Sequence, residues 1–109
     1  MTFTLTIKTA EDRAAEALAM LKAQIVAAVD ARVEAQARAL GYNDAAACAG
    51  YANSTVGQWA AEAQAFIAWR DAVWLAMYQA QDQLVQEGGT LSLDAVLADL
   101  PVWGSIDPE

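Results

Sequence analysis

A chain of 109 residues with a formal charge of −8, no histidine and a single cysteine has room for one domain. It lacks the usual general base and commonest metal ligand, and it can form neither an intrachain disulfide nor a cysteine-based zinc site. Its hydrophobic share of 57% overstates the core, because alanine supplies much of it and contributes little burial per side chain.

Thr2 to Lys8 alternates between threonine and the apolar Phe3, Leu5 and Ile7, a period-two pattern that predicts an extended, β-like arm over residues 1–8. No later segment offers this strand a partner. The arm therefore either docks its three apolar side chains on its own helices or adds as a strand to another chain. This opening is not the long apolar run of a secretory signal.

The first long helix is predicted over residues 9–40. Thr9 and Asp12 form a capping box with the shorter acid, and Glu11 and Asp12 suit the positive end of the helix dipole. Leu18, Leu21, Ile25, Val29, Val33 and Leu40 recur at helical spacing and mark one apolar face. Gly41 supplies the stop. Asn43 reads as the cap of a short helix over residues 43–51, with Cys48 among alanines as a buried thiol rather than a nucleophile.

Thr55 and Gln58 read as a second capping box opening a long helix over residues 55–87, which Gly88-Gly89 ends. Along it Trp59, Ala63, Phe66, Arg70, Val73, Met77, Ala80 and Leu84 form a heptad seam broken by Arg70. Ile67, Trp74, Tyr78 and Val85 make a second stripe beside it, so the helix buries one wide face or two faces against different neighbours. Ser92 caps a last short helix over residues 92–100, carrying Leu93, Val96, Leu97 and Leu100. Pro101 ends it. The tail, residues 101–109, holds Trp103, which is exposed unless the tail folds back. The expected fold is all-α: an antiparallel hairpin of two long helices with short accessory helices.

No constellation suits catalysis, and no enzyme activity is expected. The acids lie along helix faces without the Glu-x-x-His pattern of carboxylate-bridged metal bundles, and no Gly-rich phosphate loop occurs. Six basic residues form no cluster, which argues against nucleic acid as a partner. The negative charge reads as solubility, with a DNA-mimicking inhibitor as the sharper reading. Residues 56–78 are the most hydrophobic window, but Glu62, Arg70 and Asp71 interrupt it, so no membrane span is expected.

Arg70 between Trp69 and Trp74 requires a carboxylate or an indole face. Asp30 or Glu34 of the facing helix is one answer, and a role as interface anchor is the other. The rings of Trp59, Phe66, Trp69, Trp74 and Tyr78 exceed what one two-helix hairpin can hide, so some should meet another chain. The partner-binding candidates are these five with Arg70, Trp103, Phe3, Leu5 and Ile7. A homodimer forming a four-helix bundle would cover both stripes.

The runs GYNDAAACAGYANSTVGQW (Gly41 to Trp59) and AFIAWRDAVWLAMY (Ala65 to Tyr78) resemble small proteins of tailed phages and prophages, of the tail-fibre assembly chaperone type. The similarity covers roughly Glu34 to Trp103. The resemblance implies a protein that masks an apolar fibre segment until trimerisation, working in the host cytoplasm. A permanent tail component bridging fibre and baseplate, located in the virion, is one alternative. An acidic inhibitor of a host DNA-binding protein is the other. The resemblance supplies no established catalytic residues, and it makes Trp59, Trp69, Arg70, Trp74 and Tyr78 candidate contacts at most; no cofactor and no metal are expected for this chain.

Overall fold

The computed structural model describes residues 9–86 and 92–104. Phe3, Leu5 and Ile7 of the expected arm, the Gly88-Gly89 stop and residues 105–109 lie outside the described residues, as do the side chains of Leu84 and Val85. All regular structure among the described residues is helical: α1 (Ala10–Ala39), α2 (Ala45–Ala49), α3 (Gly57–Gln86) and α4 (Leu93–Ala98). The all-α hairpin expected from periodicity is the fold observed.

Both ends of α1 are set by local chemistry. Thr9 Oγ1 accepts from the Asp12 N–H at 3.0 Å, and Asp12 Oδ2 accepts from the Thr9 N–H at 3.2 Å, so the box forms with aspartate in place of the usual longer acid. At the other end Gly41 adopts φ +101°. Its N–H bonds to the Arg38 carbonyl at 2.9 Å, and the Tyr42 N–H bonds to the Ala37 carbonyl at 3.1 Å. This pair of bonds is a Schellman stop. It turns the chain sharply and delivers Tyr42 to the end of the hairpin.

The caps of α2 and α3 differ from those expected. Asp44, not Asn43, caps α2, accepting from the Ala47 N–H at 2.7 Å. Glu34 of α1 accepts from the Ala45 N–H at 2.9 Å, so two carboxylates satisfy donors of the same first turn, where anionic groups are favoured. Helix α3 starts at Gly57 rather than at a Thr55 cap. Ser54 Oγ takes the Val56 N–H (3.1 Å), and the Val56 carbonyl accepts from Ala60 (3.0 Å). The serine's local bond forms the turn that moves the start past Thr55.

The core runs between α1 and α3. Helix α1 contributes Ile25, Val29, Val33 and Ala37, in steps of four, and α3 contributes Ala63, Phe66, Trp69, Val73, Met77 and Ala80. Two helices in contact bury only the facing stripe of each, so a third element is needed to close the groove beside them. That element is α4, whose Val96 and following Leu100 are buried in the same cluster. Ser92 Oγ caps it, accepting from the Ala95 N–H. Arg32 of α1 donates to the Leu97 carbonyl at 3.1 Å, a cation at the negative end of the short helix.

The tail after α4 folds back. Trp69 Nε1 donates to the Pro101 carbonyl at 3.1 Å. The half-buried Trp103 ring stands edge-on to Trp69 (5.6 Å, 87°) and tilted against Phe66 (6.5 Å, 47°). The three aromatics thus form one packed group, with the buried Trp69 indole N–H satisfied by backbone.

Candidate protein-binding surfaces

The wide apolar surface of α3 is divided. Its seam faces α1 and α4, leaving Phe66 0% and Trp69 3% exposed. These two partner-binding candidates are core residues of the chain itself, and α4 with the tail stands over them. Trp103 shares their fate and is not the open, sticky residue of an unpacked tail. The second stripe is only partly covered among the described residues: Ile67 and Trp74 are half-buried and Tyr78 is 55% exposed, and Leu75, beside the stripe and not part of its expected set, is 61% exposed. Trp74 packs its inner side on the core cluster, and its ring lies 6.5 Å from Tyr78 at 33°. Trp74, Leu75 and Tyr78 thus present a ribbon of ring and aliphatic surface along one side of α3, with Ile67 two turns before Trp74 and the Arg70–Asp71 pair on the turn between.

Arg70 borders that ribbon and is about one-third exposed, bonded to Asp71 through Nη2 at 2.9 Å and Nε at 3.0 Å. The expected pairing with Asp30 or Glu34 does not occur. Glu34 is committed to the Ala45 N–H, and Arg70 keeps enough water that its own neighbour suffices. An exposed adjacent pair of this kind contributes little to stability.

A different surface lies at the closed end of the hairpin, where the last turn of α1 meets the first turns of α3. Trp59 belongs to the seam by register, yet it is 48% exposed because α1 has ended at Gly41 and no side chain faces it from there. It joins Tyr51 edge-on (5.8 Å, 84°), and Tyr51 joins Tyr42 (5.3 Å, 49°). Together with Leu40, Gly41, Gln58 and Glu62, these rings line an open-sided cleft of about 450 Å³. The Tyr42 hydroxyl donates to Glu62 Oε1 at 2.8 Å. That bond to the carboxylate, followed by burial and the carboxylate's charge, pushes the phenol up to about 12.

Tyr42, Tyr51 and Glu62 were not singled out by sequence reasoning, since the two tyrosines flank the short α2 outside any helical period. The aromatic–x8–aromatic spacing around AAACAG is the signal that could have found them. Cys48, inside α2, is fully buried and free. Burial, then the Glu62 charge, pushes its thiol above the ordinary value, which disfavours the reactive thiolate.

Among the described residues no group of three or more acidic or cysteine side chains is placed to hold a metal, and no helix is long and apolar enough to cross a membrane. Searches of protein-family models, curated proteins and solved structures each return no match.

Proposed function

We propose that this chain is a non-catalytic protein-binding module, and that the ribbon of Ile67, Trp74, Leu75 and Tyr78 on α3 receives an apolar segment of another polypeptide. The observation that carries this reading is the exposure of Leu75 and Tyr78 (61% and 55%) on a helix whose opposite face is sealed. Large apolar side chains left side by side on a surface mark an interaction site more often than isolated ones do. The resemblance of Gly41 to Trp59 and Ala65 to Tyr78 to small tail proteins of phages supplies the partner class: a tail-fibre segment held until the fibre trimerises.

Co-expression with a tail-fibre protein of the same phage or prophage, followed by pull-down, tests this. A Leu75→Asp/Tyr78→Asp variant should lose the fibre protein while its thermal melting stays close to that of the parent. Retained capture by this variant would refute the ribbon as the contact, and no capture by the parent would refute the partner class. Light scattering of the free protein tests the homodimer, since the same ribbon on two copies would associate; a mass of 11.6 kDa would rule it out. Mass spectrometry of purified virions separates a chaperone, which leaves, from a permanent tail component.

A further inference from the structure

The cleft at the closed end differs in chemistry from the ribbon and asks for a different ligand. We propose that it binds the guanidinium group of an arginine side chain presented by a partner polypeptide. The peptide origin rests on the protein-binding reading above; the guanidinium chemistry rests on the cleft alone.

Charge comes first. Glu62 is the one carboxylate in the lining, and no lysine or arginine lines the cleft among the described residues. Its Oε1 accepts from the Tyr42 hydroxyl at 2.8 Å, so one carboxylate oxygen is engaged by a neutral donor and the negative charge is not neutralised by it. The C-terminus of α1 and the N-terminus of α3 both end at the cleft, and their dipole charges are opposite in sign. The carboxylate therefore sets the net potential there.

The rings supply the second half of the recognition. Tyr51 and Trp59 meet at 84°, so their faces form a corner rather than a closed stack. A planar cation can lie on one face with its N–H edge directed at Glu62. Aromatic faces attract cations most strongly when the ring is tryptophan. Guanidinium suits this corner better than ammonium, because it is planar, weakly hydrated, stacks on rings and presents a fork of donors to a carboxylate. The Gln58 side chain adds an amide oxygen on the same wall. Gly41 lines the cleft without a side chain, and the position a Cβ would take there has no heavy atom within 4 Å.

The test is an NMR titration of isotope-labelled protein with N-acetyl-arginine amide, its citrulline analogue and its lysine analogue. Arginine amide should shift the Trp59 indole N–H and the Gly41 and Gln58 amides saturably, with a Kd of about 1–10 mM, as befits one anchored side chain. The citrulline analogue, which keeps the shape without the charge, should leave them unmoved, and the lysine analogue should bind several-fold more weakly. Glu62→Gln, which keeps an acceptor for Tyr42, should weaken arginine binding about tenfold, and Trp59→Ala should abolish it with unchanged melting. Absence of saturable shifts, equal binding of citrulline, or tighter binding of lysine would each overturn the proposal. Capture of the fibre protein by the parent but not by the ribbon variant, alongside a failed arginine titration, would sink this inference and leave the functional reading standing.

Discussion

Truncating Trp103 to alanine removes the outermost ring of the third layer, and its cost follows from the contacts. A fully buried tryptophan cut to alanine costs about 3–5 kcal/mol; Trp103 is half-buried, which brings the packing loss to about 2 kcal/mol. Its edge-on contact with Trp69 at 5.6 Å adds roughly 0.5–1.5 kcal/mol. The expected loss is about 2.5–3.5 kcal/mol, a large share of the 5–15 kcal/mol that stabilises a typical domain. Trp69 keeps its hydrogen bond to the Pro101 carbonyl, so α4 should stay docked in this variant. Urea unfolding followed by far-ultraviolet circular dichroism measures the loss, and an unchanged slope with denaturant shows that α4 has not detached. A second variant, Trp69→Phe, removes the donor to Pro101 and should cost about 1–2 kcal/mol. The cycle closed by the double variant should give a coupling of about 0.5–1.5 kcal/mol. A Trp103→Ala loss below about 0.5 kcal/mol, the size of an ordinary surface change, would show that the tail does not pack on α3 in solution.

Three further outcomes follow from single groups. Gln81 is 8% exposed and its Nε2 lacks a hydrogen-bond partner among the described residues, so Gln81→Met should raise stability by about 1 kcal/mol in urea melts; a decrease would mean the amide is satisfied in solution. Tyr42 is protonated and bound to Glu62, with its pKa raised from 10.0 to about 12, so the stability this bond contributes is whole below pH 10 and fades as pH rises towards 12. Ultraviolet titration should show one phenol ionising near the upper value, and Glu62→Gln should return it towards the lower; a curve indifferent to that substitution contradicts the bond. Gly41→Ala meets open space but a φ of +101°, so calorimetry should find a loss of about 1–2 kcal/mol from backbone strain alone.

The helices were legible in the sequence because their ends are written in local chemistry. Thr9 with Asp12, Gly41, and Ser92 each act within four residues of themselves, and all three do in the structure what their spacing predicts. Where two capping residues compete, local signals do not decide. Asn43 and Asp44 are equally good caps, and the choice falls to Asp44 in a turn whose Ala45 N–H is also met by Glu34 on another helix. Ala37 went unnoticed as a core residue, since alanine on an alanine-rich helix carries no periodic signal. Arg70 and Asp71 stand out in the sequence as a polar pair, but the expectation of a dry site sends Arg70 to the facing helix, whereas its one-third exposure lets the adjacent Asp71 suffice. The surfaces were legible only as an excess. The second stripe of α3 could be seen in the pattern, but whether α4 or nothing would cover it depends on where the chain returns, which no period encodes. The cleft was legible only through Trp59, a candidate contact by its place on α3, whereas Tyr42 and Tyr51 sit in the turns around α2, outside any helical period.

Alanine explains why the chain leaves these particular surfaces open. The α1 seam consists of Ile25, Val29, Val33 and Ala37, modest side chains that let the helix lie close to α3 but cannot reach around it. Before Ile25 only Leu18 and Leu21 pack, half-buried, against the core, so that half of the helix leans more on its intrinsic propensity, for which alanine is the best residue, and on continuity with the anchored half. The large rings are consequently concentrated on α3, which has two flanks and only one partner helix of matching length. The six residues of α4 with Pro101–Trp103 close one flank and take Phe66 and Trp69 into the core. Freeing those two rings for a partner would first break the Trp69–Pro101 bond and the Trp103 contacts, at the cost worked out above. Trp74, Leu75 and Tyr78 on the other flank, and Tyr51 and Trp59 where α1 runs out, bear no such penalty. A binding partner therefore gains most, and the fold loses least, at the rings that the hairpin's own geometry leaves uncovered.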